Sequence, residues 1–162
     1  MGIIFVKTGE IGISNTPGDV IRTVLGSCVA LVFLAPKTRT VGLAHIALPD
    51  SKIADPNNQN ILPGQYADTA VPHMIQEFQR KYGVQKPGDL IIKLTGGATV
   101  MDQGGTFNIG KRNVLAIRKM LWKNHLAPIA EEVGENYGRK VSIEIETGRV
   151  LISSPGKGEW EI

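Results

Sequence analysis

The sequence predicts an α+β fold with a mixed or antiparallel sheet, on three observations. About eight short segments carry strand chemistry, only two carry helical periodicity, and the two kinds do not alternate as βαβ units would. Two of the strand segments, Val29–Leu34 and Val41–Leu48, are continuous apolar runs too short for a confident helix. They are the expected central strands.

In chain order, Ile3–Val6 reads as a first short strand. Glu10–Ser14 alternates polar and apolar residues before the turn cluster Asn15-Thr16-Pro17-Gly18-Asp19, which together suggest an edge hairpin. The β-branched segment Val20–Val24 leads into Leu25-Gly26-Ser27-Cys28, where the glycine permits a sharp change of direction. The polar turn Pro36–Arg39 joins the two central strands. A Pro- and Asn-rich loop then runs from Pro49 to Gly64, and loops of about that length inside a domain are usually functional or disordered.

A helix is expected from about Asp68 or Thr69, with Pro72 in its first turn, an apolar stripe of Val71, Met74, Ile75, Phe78 and Tyr82, and Gly83 as its stop. Asp89–Leu94 is a further strand, followed by the glycine-rich Thr95–Ala98 and a flexible stretch to Gly110. A second helix capped by Asn108 turns Val114, Ile117, Met120 and Leu121 inward. Val141–Glu146, the turn Thr147-Gly148 and Arg149–Ser153 make a terminal hairpin.

Composition narrows the function classes. With 162 residues and 42% hydrophobic content, the chain is expected to form one domain over residues 1–162 without metal or disulfide staples. The net charge of +3 is not gathered into a nucleic-acid tail. Lys111, Arg112, Arg118, Lys119 and Lys123 fall in one helix but read as a solvated face, since aromatic residues are only 6% and not interleaved for base stacking. The single cysteine fits a reducing cytosol. The first residues lack a signal peptide's features, and no apolar run approaches the ~20 residues of a membrane span. A cytoplasmic protein that neither binds nucleic acid nor inserts into a membrane is expected.

Chemistry concentrates at Cys28 and at His45, seventeen residues later. Neighbouring antiparallel strands would bring them together, and a thiol beside an imidazole makes a nucleophile and its base. In such a pair the thiolate is expected below the free thiol's ~8.5. Backbone N–H groups at the Gly26-Ser27 bend would serve an oxyanion. The competing readings are a cysteine that is only a small buried hydrophobe and a core histidine satisfied by a carbonyl. Thr23 is the nearest hydroxyl for the far imidazole nitrogen, against a plain β-branched strand residue.

His73 and His125 fall in different predicted helices without a metal-binding pattern, so no metal or organic cofactor is expected. Gly105–Lys111 opens like a phosphate-binding loop, yet Arg112 stands where Ser or Thr should reach magnesium.

These residues resemble the CheD family, the chemoreceptor glutamine deamidases of bacterial and archaeal chemotaxis. Leu25-Gly26-Ser27-Cys28-Val29 is similar to its cysteine motif, Gly42–Asp50 to its histidine motif and Gly64–Ala70 to its helix entry. Gly96-Gly97-Ala98, Ile109–Asn113 and Gly138-Arg139-Lys140 with Thr147-Gly148 follow in order. The resemblance implies a layered α/β sandwich related to deamidating bacterial toxins. It further implies Cys28 as nucleophile, His45 as base and a threonine as third member. The implied activity converts receptor glutamines to glutamate, with possible action on receptor methyl esters and with the CheC phosphatase as regulatory partner. The competing class is an adaptor that binds receptors or CheC without turnover. One departure concerns the threonine, often six positions before the cysteine in the family, where this chain has Arg22. Thr23 is five before, and a one-residue shift would turn a side chain to the other face unless a bulge restored it.

Overall fold

A computed structural model of the chain describes residues 2–99 and 108–162. The strands are β1 (Ile3–Phe5), β2 (Ile11–Ser14), β3 (Val20–Leu25), β4 (Val29–Ala35), β5 (Thr40–Ile46), β6 (Ile91–Gly96), β7 (Ala130–Val133), β8 (Arg139–Glu144), β9 (Val150–Ser154) and β10 (Gly158–Glu161). The helices are α1 (Ala67–Tyr82), between β5 and β6, and α2 (Ile109–Lys123), between β6 and β7.

The strands form two five-stranded sheets, one in the order β1-β3-β8-β9-β10 and the other β2-β5-β4-β6-β7. Neighbours are antiparallel except β1 with β3 and β6 with β7, so both sheets are mixed. The α+β expectation holds, with the helices covering one face of the second sheet and the first sheet covering the other.

That layering explains the two apolar runs. A strand buried on both faces needs apolar residues throughout rather than alternation, and every residue of β4 and β5 is buried. Even-numbered β4 residues (Ala30, Val32, Leu34) pack with Val41, Leu43, Ile21, Leu25, Val141 and Ile143 between the sheets. Odd-numbered ones (Val29, Leu31, Phe33) pack with Ala44, Ile46, Val71, Met74, Phe78, Ile117 and Leu121 beneath the helices. Each fully buried Leu, Ile, Val or Phe contributes roughly 1.5–3 kcal/mol relative to leaving it exposed.

Several local expectations are corrected. The early edge hairpin does not form: β1 joins β3 in one sheet while β2 joins β5 in the other. The second central strand ends at Ile46 rather than Leu48. Helix α1 starts at Ala67, and neither Asp68 nor Thr69 is its cap. The Asp68 carboxylate instead accepts from the Ser51 amide and hydroxyl at 2.9 and 2.6 Å, tying the 51–53 turn to the helix start. Pro72 lies past the first turn, inside the helix. Asn108 occupies the N-cap position of α2 without a side-chain capping bond. The turn Thr147-Gly148 joins β8 to β9 as expected, and β7 and β10 are strands the sequence patterns did not reveal. Of the phosphate-loop-like stretch, Gly105, Thr106 and Phe107 lie outside the described residues.

Candidate active site

The segment Gly26–Cys28 is the crossing from the first sheet, at the end of β3, to the second, at the start of β4. Cys28 therefore sits at a strand mouth and is half-buried. The backbone behind it is tied down at every carbonyl. Gly26 O accepts from the Ala98 amide at 3.1 Å, Cys28 O from the Gly97 amide at 2.8 Å, and Ser27 O from Asn113 Nδ2 at 3.3 Å. In a planar trans peptide the N–H lies opposite the C=O, so the Ser27 N–H is directed away from the Ala98 amide and the Cys28 N–H away from Asn113.

The facing loop accommodates this grip through left-handed backbone at Gly96 (φ 111°) and Gly97 (φ 70°), conformations favoured for glycine. A Cβ on Gly96 would lie 2.4 Å from Cys28 O.

His45 lies on β5, opposite Ala30 of β4. Continuing that ladder one residue past its last pair, Val29 with Ile46, sets Cys28 across from Ala47 and diagonal to His45 on the same face. Both belong to the layer between the sheets, where Cys28 packs against the inter-sheet core. Thr23 enters this layer from β3 in the opposing sheet. The β3 to β8 ladder runs without a bulge from Val20 to Leu25, and the strand's alternation turns Thr23 inward and Arg22 outward.

Thr23 Oγ1 is 2.7 Å from His45 Nδ1 and donates to the Val6 carbonyl at 2.7 Å. Since its one proton goes to Val6, Thr23 accepts from the ring, which places the imidazole proton on Nδ1 and a lone pair on Nε2. Thr8 Oγ1 lies 3.4 Å from Nε2.

The electrostatics correct one expectation. Burial pushes the Cys28 thiol up from its ordinary value. Burial likewise pulls the His45 imidazole down, against smaller upward effects of the Val6 carbonyl and the Glu10 carboxylate. Among the described residues the imidazole's side-chain hydrogen bonds go to the two threonines rather than to the thiol. Both directions favour a neutral thiol and a neutral imidazole over the ion pair expected from sequence, because partial burial disfavours either charge.

A buried ion pair closes the layer at this end. Arg139 of β8, opposite Leu25, reaches across to Glu132 of β7, with Nε to Oε1 at 2.6 Å and Nη2 to Oε2 at 3.0 Å. Tyr137 and Thr95 donate to the same carboxylate at 2.8 and 3.0 Å. Burial alone would raise the Glu132 carboxyl, but these hydrogen bonds and the guanidinium charge hold it below its ordinary value.

Comparison with known proteins gives the family. The family model described as CheD chemotactic sensory transduction matches residues 47–154. A Syntrophotalea carbinolica protein named "Probable chemoreceptor glutamine deamidase CheD" is 44% identical over the full length of both chains. The Thermotoga maritima "Chemoreceptor glutamine deamidase CheD" is 38% identical over 95% of this chain and 93% of its own. The chain belongs to the CheD family.

In this CheD-family chain the motifs quoted from the sequence gather at one end of the sandwich. The cysteine motif, the histidine motif, Gly96–Ala98 and Ile109–Asn113 all meet through the hydrogen bonds around residues 26–28. Arg139, from the Gly138–Lys140 motif, closes the same end, whereas Thr147-Gly148 makes the β8 to β9 turn. The basic residues Lys111, Arg112, Lys119 and Lys123 of α2 are exposed, and Arg118 pairs with Glu131. Among the described residues no group of three or more His, Cys, Asp or Glu could hold a metal, and no helix is long and apolar enough to cross a membrane.

Sequence reasoning missed Thr8 and Asn113. Asn113 left a signal: with Ile117 and Leu121 it is one polar residue on the inward stripe of α2, and it is fully buried. Thr8 left none, being an exposed hydroxyl in the turn after β1.

Proposed function

We propose that this chain, working as a single domain, deamidates selected glutamines in the cytoplasmic helices of chemoreceptors. What supports this reading most is the Val6–Thr23–His45 relay, which fixes a basic Nε2 on the face it shares with Cys28. The family membership and the printed names of the relatives give the substrate class.

Because the resting groups are neutral, the first step is general-base attack. His45 Nε2 takes the Cys28 proton as sulfur bonds to the glutamine carboxamide carbon, and the oxyanion that forms is held by N–H groups of Ser27 and Cys28. Thr8 gives way to the thiol at Nε2. The imidazolium, stabilised through Nδ1 by Thr23, returns the proton to the departing nitrogen, so ammonia leaves and a γ-glutamyl thioester remains. Water then gives its proton to Nε2 and attacks the thioester carbon. Collapse expels the sulfur, which regains the proton from the imidazolium, and the net change is glutamine plus water to glutamate plus ammonia. The same thioester would form from a receptor methyl ester, with methanol leaving, and CheC would act as a regulatory partner at the receptor-binding surface.

The test incubates a receptor cytoplasmic fragment with the protein or with Cys28→Ala and weighs it. A gain of about 1 Da per converted glutamine, present with the wild type and absent with the variant, is expected from replacing NH₂ by OH. An unchanged mass on a fragment that still binds would overturn deamidation and leave a non-catalytic adaptor.

A further inference from the structure

The β4–β5 ladder ends at the pair Val29 and Ile46. Beyond it the chains part, one toward β3 through Cys28 and the other into the loop that begins at Ala47. The Ser27 and Ala47 carbonyls lie just beyond that last pair, one on each departing chain. Both are taken up by one atom of α2: Asn113 Nδ2 donates to Ala47 O at 3.0 Å and to Ser27 O at 3.3 Å. Only the nitrogen of a carboxamide can donate, so two carbonyl acceptors fix which end of the amide faces them. The other end, Oδ1, is buried without a hydrogen-bond partner among the described residues. An apolar residue would pack on this helix stripe without stranding an acceptor, so the amide's presence calls for a use.

Resting on the thiol-deamidase reading above, we propose that Asn113 is a positioning residue: its carboxamide acts as an extra rung that holds the Cys28 loop in register with the strand carrying His45. The Ser27 carbonyl it grips belongs to the peptide whose N–H is that of Cys28. One hydrogen bond therefore sets where the sulfur lies relative to Nε2 and aims an oxyanion donor, and polarises that donor as well. Asn113 touches no reacting atom.

The test uses the full chain with Asn113→Leu, which keeps the side-chain size and removes the donor, and Asn113→Ser, which keeps one. Three quantities are measured: thermal unfolding, the rate at which iodoacetamide alkylates Cys28 from acid to neutral pH, and kcat and KM on a receptor fragment. In folded N113L, alkylation at neutral pH is expected to fall about tenfold as base assistance is lost. The kcat is expected to fall about 10- to 100-fold with KM held within about twofold, the pattern of misplaced reacting groups. N113S should lie between N113L and the wild type, and it decides the matter if N113L does not fold. Alkylation that is unchanged or faster in a folded variant overturns the inference, as does an unchanged kcat or one that falls only in step with the unfolded fraction. If the wild type itself leaves receptor mass unchanged, the deamidase reading has failed, and the alkylation comparison still decides whether Asn113 positions Cys28.

Discussion

Thr23 and His45 lie in opposing sheets and meet at 2.7 Å through Oγ1 and Nδ1, with the threonine proton committed to the Val6 carbonyl. The hydroxyl thus fixes a tautomer without carrying a charge. Thr23→Val removes the acceptor while preserving shape. It is expected to lower kcat about 10- to 100-fold, somewhat less than the ~10²–10⁴ a general base supplies in all. Thr23→Ser should restore most of it. Initial rates from receptor-fragment mass, with ring-nitrogen NMR for the Nδ1 proton, check this. A Val variant at wild-type rate would show that Val6 or water replaces the hydroxyl.

Burial moves the two titrating groups in opposite directions, which yields a pH prediction. His45 is held below its ordinary 6.5, so its base form persists into mildly acid solution and the acid limb of kcat/KM should lie below that value. Cys28 is held above 9.0, so no thiolate absorbance belonging to Cys28 should appear near neutrality; its presence there would mean a preformed ion pair. Stability follows the same signs. The depressed imidazole contributes stability fully present above 6.5 and lost as pH falls through its folded value. The raised thiol contributes stability present below 9.0 and lost as pH rises through its folded value. Urea midpoints across pH should flatten on the acid side in His45→Gln.

The Arg139 to Glu132 pair spans the two sheets with the guanidinium side chain fully buried. Removing one member strands the other, so Glu132→Gln should destabilise by about 3–5 kcal/mol. Replacing both with apolar residues should recover much of that loss, because the desolvation cost disappears with the charges. Since the Glu132 carboxyl is held below its ordinary 4.5, its contribution is present above that pH and fades as pH falls through the folded value. Urea unfolding of the single and double variants checks both points, and additive losses would contradict the coupling.

The parts of the fold legible in the sequence were those with a strong one-dimensional signature. The runs at Val29–Leu34 and Val41–Leu48 announced buried strands, the second ending two residues sooner at Ile46, and the stripes of α1 and α2 announced their inward sides. Sheet partnership was not legible, because β2 alternates equally well whether it pairs with β1 or β5. The site divided likewise. Cys28 and His45 share a face by simple register, and the choice of Thr23 over Arg22 follows from alternation in β3. The charge state of the pair was misread, since burial is a property of the layers above and below rather than of the motif. Asn113 showed in the sequence only as a polar residue on an apolar stripe, and what it binds was not legible because its partners, Ser27 and Ala47, are 86 and 66 residues away.

The approach of the Gly96–Ala98 loop to the cysteine loop gives the last prediction, because it separates two costs that usually travel together. Gly96 has φ 111°, and a Cβ there would lie 2.4 Å from Cys28 O and 3.0 Å from Leu25 Cδ1. Gly148, in the β8 to β9 turn, has φ 72° with nothing within 4 Å of its Cβ position. Gly148→Ala should therefore lose only the left-handed penalty, about 1–2 kcal/mol. Gly96→Ala carries that strain and must also push backbone at Cys28 aside, so it should lose at least about 2 kcal/mol more and displace the sulfur. Comparing thermal unfolding of the two variants isolates the steric part, and Cys28 alkylation in the folded fraction of G96A reports the displacement. Equal losses in the two alanine variants would mean that the loops are not held as close as the bonds from Gly97 and Ala98 to Cys28 and Gly26 require.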